Sequence, residues 1–154
     1  MAETADNPHF EAAESWEPAA AEVAFIPRQP QYTGGHARRS IRIHVRDHKL
    51  RLLPVSERTL EAHYGAFVLS QARSGRVEAE RRTLEVSYGR ESKEATISGR
   101  PGRIYELGPD PGPDDIDGRN PAVVTWHDDE MHYMVASAEL SAGTLLRIAN
   151  SLYG

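Results

Sequence analysis

The stretch from residue 122 to residue 152 reads AVVTWHDDEMHYMVASAELSAGTLLRIANSL, and this stretch decides the fold. Its first half has two apolar runs, at 122–126 and 131–135, on either side of a polar turn, which is the pattern of a β-hairpin. In its second half, Ser141 is a suitable helix N-cap. After that cap, apolar residues recur at the spacing of one helix face: Leu145, Ile148, Ala149 and Leu152. The stretch therefore predicts a strand pair followed by one amphipathic helix.

Alternation of apolar and polar residues upstream predicts further strands. Ile41, Ile43 and Val45 alternate with polar residues, and the same period returns in later segments: 60–64, 67–71, 84–88, 96–98 and 103–107. Residues 48–53 are a candidate for one more strand, and residues 99–102 for a hairpin turn. A helix of about 12 residues is marginal alone, so the 141–153 helix must pack on the sheet. We predict an α+β fold, an antiparallel β-meander sheet of about six or seven strands with this C-terminal amphipathic helix on one face.

The composition of the chain suits one domain with a tail. The sequence has 154 residues and no cysteine, which excludes disulfides, thiolate metal sites and cysteine nucleophiles. Residues 1–22 are acidic and hold only two large apolar side chains, Phe10 and Trp16. We therefore predict a disordered or loosely docked acidic tail at 1–22 and a single α+β domain at 23–154.

The sequence also bears on location. No apolar run reaches the length of about 20 residues that spans a bilayer, and the first residues lack the layout of a signal peptide. As written, the chain is therefore expected in the cytoplasm. An extracytoplasmic location is the alternative if a signal or anchor segment precedes it.

The net charge of −5 conceals an uneven distribution. Residues 36–60 hold seven Lys or Arg against two Asp or Glu, whereas residues 1–35 hold one base against six acids. In the predicted strand from residue 41, the cations lie on the face opposite the apolar side chains. We call the cations of this region the basic stripe. It is a candidate site for an anion or a partner, and its members are Arg38, Arg39, Arg42, His44, Arg46 and Arg51.

Three interpretations of the basic stripe agree with its charge. In the first, solvent or the acidic tail neutralises it. In the second, it contacts an acidic protein partner or an anionic lipid surface, and in the third it contacts a nucleic acid. The stripe lacks the interleaved aromatic side chains on which single-stranded nucleic acids stack. A nucleic acid is therefore not the expected partner.

The polar turn of the hairpin holds the best candidates for metal binding or catalysis, His127, Asp128 and His132, together with the carboxylates between them. Imidazole and carboxylate groups are ligands of zinc and other divalent ions. The two histidines lie on opposite sides of the predicted turn, so we expect them not to converge and predict no metal site. A calcium loop at 110–117 is not expected, because prolines interrupt the oxygen ligands. No nucleophile elbow, P-loop or dinucleotide fingerprint occurs, so we predict no cofactor.

The last third of the chain carries an ordered set of motifs. They are Gly99-Arg100-Pro101-Gly102, the Trp126 strand, Tyr133-Met134-Val135-Ala136-Ser137, Leu140-Ser141 and Ile148-Ala149-Asn150-Ser151-Leu152. This order resembles an uncharacterised bacterial family, a domain of unknown function at the C-terminus of anti-sigma-factor-like and lipoprotein-carrier-like proteins. The resemblance covers about residues 25–153. It implies an extracytoplasmic sensor or binding role and carries over no catalytic residue.

Two features depart from the pattern of that family. Asp128-Asp129-Glu130 replaces the usual glycine of the Trp126 hairpin, and the sequence shows no export or anchor segment. We predict a non-catalytic binding or sensor module for a protein partner or a small ligand. The alternatives are a small metal-dependent enzyme that uses His127, His132 and the adjacent carboxylates, and a nucleic-acid or anionic-surface contact through the basic 38–51 strand.

Overall fold

The computed structural model describes residues 8–73, 93–106 and 122–153 of the protein. Its strands are β1 (Phe10–Ala13), β2 (Arg38–His44), β3 (Thr59–Tyr64), β4 (Val68–Arg73), β5 (Lys93–Ile97), β6 (Arg100–Glu106), β7 (Ala122–Asp128) and β8 (Met131–Ser137). Two α-helices accompany them in these ranges, α1 (Trp16–Ala20) and α2 (Ala142–Asn150). The eight strands form one antiparallel sheet in the order β1-β2-β3-β4-β8-β7-β6-β5.

The sheet consists of two four-stranded meanders that meet at its centre. Strands β1 to β4 run inward from one edge and β5 to β8 run inward from the other, so that β4 pairs with β8. In this central pair, Val68 lies opposite Ala136 and Arg73 lies opposite Met131. The α+β class, the antiparallel sheet and the C-terminal helix are confirmed. The described ranges contain eight strands, so the predicted number of six or seven is too low.

The N-terminal segment supplies one of the unexpected strands. β1 pairs with β2, with Phe10 opposite His44, and α1 follows it with Ala19 completely buried. Trp16 packs against the core. Residues 10–20 of the segment predicted as a disordered or loosely docked tail thus pair with the sheet or pack on its core. An edge strand is held by backbone hydrogen bonds, which demand little apolar sequence.

Two segments differ from their predicted structure. Residues 48–53 form no strand, because the chain turns back at once and only Arg46 and Leu52 make an isolated bridge. The turn of the β5–β6 hairpin falls at Ser98 and Gly99. It is therefore shorter than the four-residue turn that the sequence predicts.

Gly102, which the sequence places in that turn, lies within β6. A Cβ atom at this position would stand 2.7 Å from the carbonyl oxygen of Thr125. The close approach of β6 and β7 therefore requires a glycine. The predicted strand at 84–88 and the loop at 110–117 lie outside the described residues.

The C-terminal helix α2 has the predicted cap and the predicted apolar face. The Ser141 hydroxyl accepts a hydrogen bond from the backbone N–H of Thr144, which satisfies a donor that a helix N-terminus leaves unpaired. Leu145 and Ile148 are fully buried, and the helix packs mainly on β7 and β8. Each of these side chains stabilises the fold by about 1.5–3 kcal/mol. The chain continues in a 3-10 turn, Ser151–Tyr153.

Loops and turns from both meanders gather at one end of the sheet, which we call the hairpin end. His44 lies opposite Thr59, Thr59 lies opposite Ala72, and Ala72 lies opposite His132. The β2–β3 loop and the β7–β8 turn therefore leave the sheet at the same end, and the β5–β6 turn lies there too. The helix-covered face of the sheet holds the larger hydrophobic core.

Candidate functional site

A cleft of about 550 Å³ opens at the hairpin end on the helix-covered side of the sheet. Its walls come from three places in the chain, namely the irregular segment 25–28, the β7–β8 hairpin and the last helical turn. The lining residues are Phe25, Ile26, Pro27, Arg28, Asp128, Asp129, Met131, Tyr133 and Leu152. A volume of this size falls within the range of about 300–1,000 Å³ that is usual for ligand sites. Its size and its mixed apolar and charged lining make this cleft the candidate functional site.

Gln71 fixes the wall that segment 25–28 forms. This side chain is fully buried in β4. Its Oε1 accepts a 2.8 Å hydrogen bond from the backbone N–H of Arg28, and its Nε2 donates a 2.8 Å bond to the carbonyl oxygen of Arg28. Close by, Nε of Arg73 donates to the carbonyl oxygen of Ala24. Side chains of β4 thus form the hydrogen bonds with the backbone of this irregular segment that a neighbouring strand would otherwise form.

Two arginine side chains pack on the ring of Tyr153 beside the cleft. Cζ of Arg100 lies 3.7 Å from the ring centroid, and Cζ of Arg28 lies 4.5 Å from it. Nε1 of Trp126 donates a 2.9 Å hydrogen bond to the Tyr153 hydroxyl. A cation–π contact contributes about 0.5–2 kcal/mol, depending on how far it is withdrawn from water. Tyr153 therefore ties the 3-10 turn to β6, to β7 and to segment 25–28.

Asp128 supplies the negative charge beside this ring. Its Oδ2 lies 3.0 Å from Nε of Arg100 and 3.9 Å from Nη2 of Arg28. Nε of Arg100 is buried without a hydrogen-bond partner among the described residues, so its contact with Asp128 is an ion pair that lacks hydrogen-bond geometry. Asp128 thus balances part of the positive charge of the two arginines. We call Arg28, Arg100, Trp126, Asp128 and Tyr153 the arginine–tyrosine cluster.

Burial sets the protonation of the two tyrosines near the cleft. The rings of Trp126 and Tyr133 stack with their centroids 5.1 Å apart, and burial raises the pKa of Tyr133 above its ordinary value of 10.0. Burial also raises the pKa of Tyr153, against the opposing effect of the hydrogen bond from Trp126. Both phenols are therefore protonated at neutral pH and serve as neutral hydrogen-bonding groups, not as bases.

The rim of the cleft is open to solvent. Ile26 is 89% exposed there, so its side chain is available to a bound molecule. Across the cleft, Asp129 stands in the β7–β8 turn in a left-handed conformation with φ of 56°. Beside that turn, Nη1 of Arg73 lies 2.8 Å from Oε2 of Glu130. The rim therefore combines an exposed apolar group with charged groups of both signs.

The structure brings His127 and His132 together, contrary to the expectation from the sequence. They lie directly opposite each other in β7 and β8 with ring centroids 5.6 Å apart, because the turn between the strands has only two residues. Asp128 projects to the other face of the sheet, where it contacts the arginines. In the ranges that the structure describes, no group of three or more His, Asp or Glu side chains is arranged to hold a metal ion. His127, Asp128 and His132 therefore do not form one site.

Two members of the basic stripe, Arg42 and His44, share the face of β2 opposite the core, and Phe10 of β1 covers them. Cζ of Arg42 lies 4.1 Å from the centroid of the Phe10 ring. The ring of His44 lies 5.0 Å from the same ring, centroid to centroid. An aromatic side chain of the N-terminal segment therefore contacts both Arg42 and His44.

The other four cations of the basic stripe lie at opposite ends of β2. Arg38 and Arg39 stand at its start, where Arg38 lies opposite Tyr64. Arg46 and Arg51 belong to the β2–β3 loop at the hairpin end. The six side chains of the basic stripe are therefore spread along β2 and into the loop that follows it.

Asp128 and Asp129 are the cleft residues that were among the sequence candidates for metal binding or catalysis. Arg28, Arg100 and Tyr153 come from separate elements, so no local pattern links them. One signal was present in the sequence. Gln71 occupies an apolar position in an alternating segment, and a buried amide has to find hydrogen-bond partners.

Comparison with known proteins adds no assignment. No protein-family model, curated protein sequence or solved structure matches the chain. Within residues 8–73, 93–106 and 122–153, no helix has the length and the apolar character needed to cross a membrane. The function therefore has to be inferred from the cleft and its surroundings.

Proposed function

We propose that the protein is a non-catalytic binding module whose cleft receives a peptide segment of a protein partner. The observation that carries this proposal is Ile26, which is 89% exposed at the rim of a cleft with apolar walls. A large aliphatic side chain in that position adds little to the core. It does offer a contact surface to an apolar group of a ligand.

The walls of the cleft are fixed before a ligand arrives. Gln71 holds the backbone of Arg28 at two points, and the arginine–tyrosine cluster holds the 3-10 turn against β7. Binding to a preformed cleft avoids the cost of ordering its walls, about 0.5–1.5 kcal/mol for each mobile side chain. This rigidity supports a role in recognition.

The lining indicates the chemistry of the ligand. Phe25, Ile26 and Met131 offer apolar surface, which suits one or two aliphatic or aromatic side chains of a peptide. Asp128 already faces two arginines, whereas no cation among the described residues pairs with Asp129. We therefore expect a peptide with an apolar residue next to a Lys or Arg that reaches Asp129.

The resemblance to the bacterial family enters here as part of the same proposal. The order of motifs from Gly99 to Leu152 is similar to that of a domain at the ends of anti-sigma-factor-like and lipoprotein-carrier-like proteins. A domain of that kind with a peptide-binding cleft would act as a sensor whose input is a partner protein. The proposal requires no catalytic group, in keeping with the protonated state of Tyr133 and Tyr153 at neutral pH.

The experiment that tests the proposal is a selection from a random peptide library on the immobilised full chain. Selected peptides should share an apolar residue next to a basic one. Their affinity should fall at least tenfold, or about 1.4 kcal/mol, for Ile26→Ser and for Asp129→Asn.

Val55→Ser is the matched control, because Val55 is also an exposed aliphatic residue, 42% exposed, but lies outside the cleft. This variant should bind the selected peptides as the unaltered chain does. The proposal fails if no peptide is enriched over a scrambled set. It also fails if Ile26→Ser binds the enriched peptides unchanged.

A further inference from the structure

Exposed large apolar residues concentrate in one loop at the hairpin end, the β2–β3 loop (residues 45–58). Among the described residues four large apolar side chains are exposed, and three of them belong to this loop. Leu50 is 49% exposed, Leu52 is 61% exposed and Val55 is 42% exposed. The loop lies apart from the cleft, which these residues do not line.

The tip of the β2–β3 loop is held in a fixed shape. The side chain of Asp47 accepts hydrogen bonds from the backbone N–H groups of Lys49, at 2.8 Å, and Arg51, at 3.0 Å. The backbone N–H of Leu50 donates to the carbonyl oxygen of Asp47 at 2.8 Å. Below the tip, Leu53 donates to the carbonyl oxygen of Val45 at 2.7 Å. The two exposed leucines therefore stand on a closed turn and not on a loose end.

Leu50 adopts the left-handed conformation with φ of 63°. Side chains with a Cβ avoid this region, which glycine or asparagine ordinarily fills in such turns. A leucine in this conformation lowers the local stability of the turn. Burial does not compensate for this cost, since about half of the Leu50 side chain is exposed. Strain of this kind in an exposed apolar residue points to a contact made outside the chain.

Basic side chains surround the exposed leucines. Arg46, His48, Lys49 and Arg51 follow one another through the tip. The one carboxylate among them, Asp47, is directed inward, where its Oδ2 also lies 3.0 Å from Nε of Arg51. The tip therefore presents positive charge and aliphatic side chains together.

We propose that the β2–β3 loop docks on an anionic lipid bilayer. Leu50 and Leu52 enter the headgroup layer, and Lys49 and Arg51 contact lipid phosphates. Membrane binding of this kind grows with the apolar area inserted and with the attraction between basic groups and anionic lipid. A protein partner fits less well, because the loop has no aromatic anchor of the kind that protein interfaces favour.

Asp129 and Glu130, the two carboxylates of the β7–β8 turn, do not cancel this attraction. The whole protein carries a net charge of −5, but exposed charges are screened beyond about 10 Å at ordinary ionic strength. Asp129 and Glu130 leave the sheet from the β7–β8 turn, and β8 is separated from β3 by β4. At about 4.8 Å per strand, β8 lies about 10 Å from the root of the loop.

The test measures sedimentation of the full chain with vesicles of phosphatidylcholine alone and of phosphatidylcholine with phosphatidylserine. Binding should require phosphatidylserine and should weaken as salt is added. The double variant Leu50→Ser/Leu52→Ser and the single variant Lys49→Glu should each lose at least tenfold in partition. These side chains are exposed, so the thermal unfolding temperature should stay the same.

Two control variants separate the loop from general surface effects. Ile26→Ser removes an even more exposed aliphatic residue outside the loop, and Arg39→Glu reverses an exposed cation at the opposite end of β2. Both should bind the vesicles as the unaltered chain does. Because Ile26→Ser is the variant that should lose peptide binding, the two proposals fail independently.

Competition of the vesicles with inorganic phosphate and with heparin distinguishes binding to lipid from binding to soluble anions. If the Leu50→Ser/Leu52→Ser variant keeps full vesicle binding while Lys49→Glu loses it, the loop is a site for soluble polyanions and the proposal is overturned. It is also overturned if neither vesicle sediments the chain, or if both vesicles sediment it equally. An equal loss of binding in Arg39→Glu would contradict it as well.

Discussion

Two groups of basic side chains lie at the same end of the sheet, and their surroundings differ. Arg28 and Arg100 pack on the ring of Tyr153 and face Asp128. Lys49 and Arg51 at the tip of the β2–β3 loop stand in solvent, and the side chain of Arg51 is 69% exposed. The first group links three elements of the fold, whereas the second, among the residues that the structure describes, makes contacts only within its own turn, from Arg51 to Asp47.

The contrast shows that charge alone does not indicate the role of a basic residue. A guanidinium packed on a half-buried ring contributes to stability through its flat surface as well as its charge. An exposed ion pair contributes about 0–1 kcal/mol and is weakened by salt. Substitutions in the arginine–tyrosine cluster should therefore change stability, and substitutions in the loop should change binding.

The largest effect is expected from Tyr153→Ala. This change removes the ring on which Arg28 and Arg100 pack and the acceptor for Trp126, so the free energy of unfolding should fall by about 3 kcal/mol. Urea denaturation followed by circular dichroism measures it. Tyr153→Phe keeps the ring and should lose only about 1 kcal/mol. Equal losses in the two variants would show that the arginines gain nothing from the ring.

Gln71→Leu should have the next largest effect. It leaves the N–H and the carbonyl oxygen of Arg28 without their partners, and we expect a loss of about 1–3 kcal/mol in the free energy of unfolding. Gln31→Leu serves as the control, because Gln31 is an exposed amide three residues after Arg28 and its substitution should change stability little. The role assigned to Gln71 is refuted if the two variants have the same urea midpoint.

A pair of matched substitutions tests the comparison directly. Arg100→Lys keeps the charge near Asp128 but removes the flat group on Tyr153, and should cost about 1 kcal/mol. The same change at Arg51 should cost about 0–0.5 kcal/mol. Melting temperatures of the two variants measure the difference. The opposite order would mean that the loop, and not the cluster, depends on arginine geometry.

The smallest effects on stability at neutral pH come from groups that titrate far from neutrality. Tyr133 and Tyr153 titrate at high pH, and Asp47 titrates at low pH. Burial raises the pKa of Tyr133 and Tyr153 above 10.0. The folded state therefore holds these protons more tightly, and stability is lost as pH rises from about 10 through the raised pKa. Phenolate absorbance should show tyrosines that ionise late, together with unfolding. Ordinary titration of all six tyrosines in the folded protein would contradict the burial of Tyr133.

In the β2–β3 loop, the pKa of Asp47 shifts in the opposite direction to that of the two tyrosines. Desolvation opposes the shift, but the hydrogen bonds that Asp47 accepts from Arg51 and Lys49 lower the pKa of Asp47 below its ordinary value of 3.8. The contribution of this carboxylate is therefore present above 3.8 and is lost as pH falls through the lowered pKa. Nuclear magnetic resonance of the amide of Lys49 should report the change. An amide shift that follows a pKa at or above 3.8 would be the contrary result.

Local patterns in the sequence were sufficient to predict the elements whose defining contacts are between neighbouring residues. The β7–β8 hairpin has apolar runs on both sides of a polar turn, and α2 has its cap at Ser141 and its apolar stripe within a few residues. Period and capping are properties of neighbouring residues, so a single sequence predicts them well. The alternation in β2 was equally readable for the same reason.

Elements that depend on distant partners were not predictable. β1 has four residues and little apolar content, and it is a strand because β2 offers it an edge. The cleft depends on the pairing of β4 with β8, which no local pattern encodes. His127 and His132 were expected to stay apart because the length of their turn was not known. The turn has two residues, which places them opposite each other.

The pairing of β4 with β8 also sets the order in which the sheet can be completed during protein synthesis. When β4 leaves the ribosome, β3 already pairs with one of its edges, but its other edge has no partner until β8 has been made. In that interval the first meander shows unpaired backbone and an uncovered apolar face, both of which favour association with other chains. Pairing between distant segments is also slow compared with the closing of a hairpin. A nascent chain therefore passes through a stage in which it is prone to associate with other chains, and this stage ends only when β8 has emerged.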